Sequence, residues 1–265
     1  MVRSFKRRDG IYAEFDCEDW TDFKVSLRSV LNASGADEPI SDRFIFRGQS
    51  CSSWGLMSSF DRDNSPLSAA ARDRKYTELI RTFKESYMAY GGISNFGANQ
   101  YIEGFDEFDD TRVEGVAQHY GLGTRLLDWT YSPYVSAFFA LSNPASCVSG
   151  MASIWALDRN AFDAFSQSEI RYYRDLHRAN VRNLWQMGAF VRNYTSNPDI
   201  SDLFKRDSKS YDHSLDRGAP LLIRFDIPIA DELEILDDLQ LMRINAMTIF
   251  PGMEGVVSWL RKKFV

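Results

Sequence analysis

Between Gln118 and Leu141 the chain reads QHYGLGTRLLDWTYSPYVSAFFAL, and a His, an Arg, a carboxylate, a Trp and two hydroxyls fall close together there. Arg125, Asp128, Trp129, Thr130 and Ser132 surround the apolar pair Leu126 and Leu127, while Gly121, Gly123 and Pro133 punctuate both sides. That punctuation marks a helix, turn, strand, turn, helix sequence and puts polar groups at the end of a buried strand. Buried polar groups need partners, so an Arg125 to Asp128 ion pair plus helix caps accounts for any single one of them. Taken together they point to a site. Upstream, Arg47 follows the strand-favouring run Phe44, Ile45, Phe46 and precedes Gly48, which stands it at a strand terminus. A guanidinium there offers a planar fork for an anion. Downstream, Glu254 follows Ala246 to Phe250, a run that reads as a final strand.

These segments carry a family resemblance. Phe44 to Gln49, FIFRGQ, together with Gln118 to Leu141, resembles the FRG domain, named for a Phe/Tyr-Arg-Gly motif followed by a segment like QHYGLPTRLLDWTxSPxxALFFA. Gln186 to Phe190 resembles that family's QQGxF segment, and Thr248 to Gly255 its terminal TxFPDLDG. The chain departs from the pattern at Gly123 for Pro, at Met187 and Ala189 for Gln and Leu, at Gly252 for the first terminal acid and at Glu254 for the second. Glu254 keeps a carboxylate. The order of a first-strand Arg, a hydroxyl-bearing second motif and a late acid is also similar to ADP-ribosyltransferases, which cleave the nicotinamide bond of NAD.

That likeness implies an ADP-ribosyltransferase-like fold, with NAD as substrate, and roles for named residues. Arg47 would hold the phosphates, and Glu254, with Asp128 as a possible second carboxylate, would face the positive charge that develops on the ribose. Gln49, His119, Arg125, Trp129, Thr130 and Ser132 would line the nucleotide. Arg125 has two roles open to it, a second phosphate contact or the partner of Asp128. Trp129, Tyr131 and Tyr134 offer stacking faces, or are plain core aromatics. Two further readings stay open: a nucleic-acid-directed enzyme using Arg47, His119 and Asp128 as clamp, acid and base, and a noncatalytic nucleotide sensor. FRG-like domains occur in bacterial and phage settings, so the resemblance also implies a toxin or antiphage effector. Its macromolecular acceptor is protein or nucleic acid, and a neutralising partner fits that setting.

Composition narrows the alternatives. A net charge of -6 argues against a nonspecific binder of phosphate backbones. There is no Gly-x-x-x-x-Gly-Lys loop, no complete dinucleotide fingerprint, no Gly-x-Ser-x-Gly elbow and no His-Glu-x-x-His pair. Cys17, Cys51 and Cys147 are far apart and beside no His, which predicts neither a disulfide framework nor a metal. No apolar stretch is long and unbroken enough for a signal or a span, so a cytoplasmic protein away from the membrane is expected.

The elements that must position these residues follow from periodicity. Glu18 to Asn32, Ser68 to Tyr90, Thr111 to Tyr120, Pro133 to Leu141, Ile170 to Leu184, the stretch from Ile229 to Leu239, and Met253 to Phe264 read as helices. A short helix is expected near Asn160 to Phe165. Arg43 to Arg47, Leu126 to Thr130, Met151 to Leu157, Ala189 to Tyr194, Pro220 to Ile227 and Ala246 to Phe250 read as strands. Gln49 to Asn64 reads as a long loop pinned by Trp54 and Leu56, and Asp199 to Arg217 as a polar insertion. Strands and helices do not alternate strictly, which predicts an α+β fold with a mixed or largely antiparallel sheet flanked by helices. An N-terminal helical segment, 1–42, is expected ahead of an FRG-like domain, 43–265.

Overall fold

The fold is taken from a computed structural model, which describes residues 6–9, 11–33, 43–91, 109–142, 147, 149–164, 169–174, 185–205 and 220–264. The chain begins β1 (Arg7–Asp9), β2 (Tyr12–Asp16), α1 (Trp20–Ala33), β3 (Phe44–Gln49), α2 (Ser59–Asp63) and α3 (Ala69–Gly91). It continues α4 (Asp110–His119), β4 (Leu126–Thr130), α5 (Pro133–Leu141), β5 (Met151–Asp158), α6 (Ala161–Ala164) and β6 (Ile170–Tyr173). Then come β7 (Gly188–Asn193), α7 (Ser201–Lys205), β8 (Leu222–Pro228), α8 (Glu232–Leu241), α9 (Ala246–Ile249) and α10 (Met253–Phe264).

The strands form one mixed eight-stranded sheet in the order β1-β2-β8-β5-β3-β4-β7-β6. Among the described residues only β2 and β8 run parallel; the other pairs are antiparallel. The fold is therefore α+β, as the pattern of elements predicts. Alternation sorts side chains to two faces. Phe44, Phe46, Ile154 and Phe225 pack under α1, α5, α8 and α9, whereas Ile45, Leu127, Trp129, Trp155 and Leu157 form a second core on the other face with Leu56 and Phe204. A third, smaller cluster joins Phe60 of α2, Tyr76 and Ile80 of α3, and Val113 and Val116 of α4.

Four expectations are corrected. The segment expected as an N-terminal helical appendage supplies β1 and β2 as well as α1, and Tyr12 of β2 sits opposite Leu222 of β8. Its YAEFD run is too short for alternation to announce a strand. Ile170 to Tyr173 is a strand, because Ile and two Tyr suit a pleated edge and pair with β7 from Ile170 opposite Asn193; residues 175–184 lie outside the described residues. Ala246–Ile249 is a helix rather than the final strand: the Asn245 side chain accepts from the Met247 and Thr248 amides, and Thr248 Oγ1 accepts from the Asn245 amide. That reciprocal cap overrides the β-branched composition. Within the expected loop after β3, α2 forms, and Leu56 is buried while Trp54 is 43 % exposed, so Leu56 alone pins it. Asp109 caps α4 by accepting from the Arg112 amide at 2.9 Å.

Cys51 and Cys147 form a disulfide, which corrects the reading of three unrelated thiols. The two positions are 96 residues apart in sequence and meet because β3 and β5 are antiparallel neighbours, with Gln49 opposite Ser153. The cysteine pattern thus no longer argues for a reducing compartment. Closing so long a loop restricts the unfolded chain, and Cys51→Ser should cost about 2–4 kcal/mol. Urea unfolding of the oxidised wild type and of the variant checks this; coincident midpoints would mean that the bond carries no stability. Among the described residues no helix is long and apolar enough to cross a membrane.

Candidate functional site

β4 and α5 are positioned as their sequence dictates. In β4, Leu127 and Trp129 point into the second core, so Asp128 and Thr130 emerge on the opposite face, paired across to Phe190 and Gly188 of β7. Ser132 then caps α5, accepting from the Val135 amide at 3.2 Å, and Pro133 fills the first turn. Helix α5 crosses β3 directly over Gly48. A Cβ on Gly48 would collide with the Ser136 carbonyl and approach the Ala140 amide nitrogen within 2.8 Å. The glycine after Arg47 is there because a helix backbone lies on top of it.

β3 and β4 share one registered pair, Phe46 opposite Thr130. Beyond it the guanidinium of Arg47 takes over, and Nη1 donates to the Asp128 carbonyl at 2.6 Å. Arg47 Nε is buried without a hydrogen-bond partner, and so is Trp129 Nε1. Both residues line a cavity of about 340 Å³ with Asp128, Thr130, His119 and Gln118. Phe46, Phe139, Phe190 and Phe250 give it aromatic walls.

Arg47 is half-buried and Asp128 is exposed at the cavity mouth. Burial pushes the Asp128 carboxyl above the usual carboxylate range, against the opposing pull of Arg47 and of the Gln118 hydrogen bond. Burial likewise lowers the proton affinity of Arg47; Asp128 opposes that and Arg62 adds to it. The Arg47 guanidinium, with its Nε buried and unpartnered, is the charge there that a ligand of opposite sign would stabilise most. Gln118 fixes the carboxylate, with Nε2 donating to Asp128 Oδ1 at 2.6 Å while its own Oε1 accepts from the Thr124 hydroxyl. That chain ties the rotamer of Asp128 to a fully buried threonine.

Of the residues proposed from sequence, Arg47, His119, Asp128, Trp129 and Thr130 come together. Thr130 serves the scaffold as well as the wall: its hydroxyl donates to the Gln186 carbonyl at 2.7 Å and accepts from the Ser132 amide at 3.1 Å. Four others stand elsewhere. Glu254 is exposed in the first turn of α10, past Phe250, and is not among the cavity-lining residues. The helix at Ala246–Ile249, replacing the expected strand, removes the strand end that would have aimed it. Gln49 is buried away from the cavity, donating to the Gly55 carbonyl and accepting from Trp155 Nε1. Arg125 pairs with Asp73 at 2.7 Å and Asp61 at 3.3 Å and lies over the Tyr76 ring, so it locks α2 and α3 to β4 and neither partners Asp128 nor lines the cavity. Ser132 is spent as the helix cap. Tyr134 packs edge-on to Trp20, and Tyr131 bonds to the Tyr172 hydroxyl.

The residues of the cavity fall largely within one recognisable stretch of chain. Residues 42–147 match the FRG domain. No curated protein and no solved structure matches the chain. The FRG match spans Arg47, Gly48, Gln118, His119 and the whole of β4 and α5, so it takes in the charged side of the cavity. Gln186, Phe190 and Phe250, which close it, lie beyond the FRG match. Sequence reasoning missed Gln118 and the phenylalanine walls. Gln118 opens the QHYG segment, a visible signal, but its partner Asp128 is fixed only by the turn between α4 and β4. Among the described residues no group of His, Cys, Asp or Glu could hold a metal ion.

Proposed function

We propose that the cavity binds NAD and cleaves its nicotinamide–ribose bond, with transfer of ADP-ribose to water or to a macromolecular acceptor. One observation carries the reading: a guanidinium with a buried, unpartnered Nε and a carboxylate held by Gln118 line the same aromatic-walled cavity. Arg47 offers its fork to phosphate oxygens. Asp128 takes the electrostatic role that Glu254 cannot take from outside. The C1′–N bond breaks with its electron pair leaving on nicotinamide, which departs neutral. The acceptor then attacks C1′ and yields its proton to Asp128, which returns it to solvent. Positive charge on the ribose is greatest between those events, facing the carboxylate that Gln118 holds in place. At about 340 Å³ the cavity sits low in the range of small-molecule sites, so it encloses one half of a dinucleotide and leaves the other at the mouth.

A second reading has its own support. Arg47, His119 and Asp128 also converge in the cavity, which suits phosphate clamping with acid and base in a nucleic-acid-directed enzyme. The two readings separate in one assay, with purified protein incubated with NAD and, separately, with single-stranded RNA and DNA. Nicotinamide release or ADP-ribose labelling supports the first reading. Altered oligonucleotides with intact NAD would replace it by the second, and NAD binding without turnover by a sensor.

The FRG resemblance joins this chemistry to a role as a toxin or defence effector. Modest expression in a bacterial host should then slow growth, with Arg47→Ala relieving the effect. Equal growth curves for both forms, at equal protein levels, would count against an effector that acts through this cavity.

A further inference from the structure

We infer that Arg62 of α2 joins Arg47 in a two-guanidinium subsite for a diphosphate, and that Arg62 is what separates a diphosphate ligand from a monophosphate. The inference rests on the nucleotide reading of the cavity and names the part of the ligand that this reading leaves at the mouth. Position comes from α2, which is fastened to the turn leading into β4. The Phe60 amide donates to the Thr124 carbonyl at 3.3 Å, and the Ser59 hydroxyl reaches the same carbonyl at 3.5 Å. Thr124 also starts the hydrogen-bond chain through Gln118 to Asp128, whose own carbonyl accepts from Arg47. Arg62 follows Ser59 by three residues and so stands on the side of α2 that meets Thr124. The rest of the helix is pinned: Phe60 packs edge-on to Tyr76, and the buried Asp61 holds Arg72 and Arg125, each at 3.3 Å.

Charge identifies the ligand. The Arg62 side chain is 55 % exposed, and its ion pair is with the adjacent Asp63, itself exposed, at 3.9 Å, a surface contact worth little. Beyond burial, two charges act on the Arg47 guanidinium: Asp128, which steadies it, and Arg62, which repels it. Two like charges held near each other by anchored elements are relieved most by an anion that reaches both. A single phosphate is satisfied by the fork of Arg47 alone. Two phosphates joined through one oxygen carry a charge for each guanidinium. Arg62 is not among the residues lining the cavity, which suits a group that meets the ligand outside its enclosed half.

Calorimetric titration of the full chain with ADP and AMP, and with NAD and nicotinamide mononucleotide, tests this. Wild type should bind the diphosphate of each pair roughly tenfold more tightly than the monophosphate, and rising salt should narrow the gap. Arg62→Ala should weaken the diphosphates by about tenfold and leave the monophosphates within about twofold, with an unchanged melting temperature because the side chain is exposed. Arg62→Lys, which keeps the charge without the fork, should fall between the two. Equal losses for monophosphates and diphosphates, or no loss for either, overturn the subsite. Diphosphate binding that depends on Arg62 without nicotinamide release supports the subsite and removes the cleavage reading. Nicotinamide release with NAD affinity indifferent to Arg62→Ala does the reverse, and a wild type that binds none of the four ligands removes both.

Discussion

Asp128→Asn should reduce nicotinamide release by about 100- to 1000-fold while leaving NAD binding nearly unchanged. Asn keeps the size and a hydrogen-bonding oxygen for Gln118 but removes the charge that faces the ribose cation, so the loss falls on the transition state. Steady-state rates and NAD affinity measured on the same preparations test this; a matched fall in affinity would make Asp128 a binding residue only. Arg47→Lys should do the converse, weakening binding because an ammonium cannot span two phosphate oxygens. The same carboxylate predicts a pH profile. Its folded-state pKa is raised by burial, so the rate should fall as pH drops through a value above the usual carboxylate pKa of about 3.9. Stability moves the other way. A raised carboxyl favours the folded state when protonated, a contribution complete below the unfolded pKa and lost as pH rises through the folded one. At neutral pH the ionised Asp128 therefore destabilises, and the inactive Asp128→Asn protein should melt slightly above wild type, with the gap closing as pH falls. Solvent at the cavity mouth keeps that gap small. A variant that melts below wild type at pH 7 would contradict the direction assigned to Asp128.

Gly48→Ala should be the most damaging single methyl group in the FRG segment. The atoms a Cβ would meet, the carbonyl of Ser136 and the amide nitrogen of Ala140, belong to the backbone of α5 and cannot turn aside as a side chain would. Relief requires α5 to lift from β3. Overpacking of this kind costs about 1–3 kcal/mol and occasionally more, and here it acts on the helix whose Phe139 walls the cavity. Gly123→Ala is the matched control. A Cβ there would meet its nearest neighbour, Ser59 Oγ, at an ordinary 3.5 Å, so the change should be nearly neutral. Urea midpoints decide the matter: equal values for the two variants would show that α5 adjusts freely over β3.

Sequence made the centre of this molecule legible because its signals there are local. The LLDWT alternation, the Ser132-Pro133 cap and the apolar run after it each fix an element within a few residues, and Asp128, Thr130 and Trp129 fall where those elements put them. What stayed hidden depends on distant partners. Arg125 stands three residues from Asp128 and invited a pairing, yet its actual partners, Asp61 and Asp73, arrive on α2 and α3. The Cys51 to Cys147 bond and the Phe190 and Phe250 walls are likewise products of strand order rather than of spacing. Glu254 was misplaced for a local reason of the opposite kind, since a capping box at Asn245 coils a β-branched segment that composition alone would extend. Gly252, where the FRG pattern has an acid, has φ +108, a conformation that glycine tolerates and an aspartate resists.

The parallel pairing of β2 with β8 has a consequence for the order in which the protein is made. Tyr12 leaves the ribosome long before Leu222, and at about 5–20 residues per second the interval is on the order of 10–40 seconds. Throughout that time the first strands have no seat, because the β8 edge they dock on, Tyr12 against Leu222 through Asp16 against Asp226, does not yet exist. Completion of the sheet thus waits on the synthesis of β8. Until then the nascent chain carries Tyr12 to Asp16 with only β1 to pair with, and its long-range partner is the last strand of the sheet to be made.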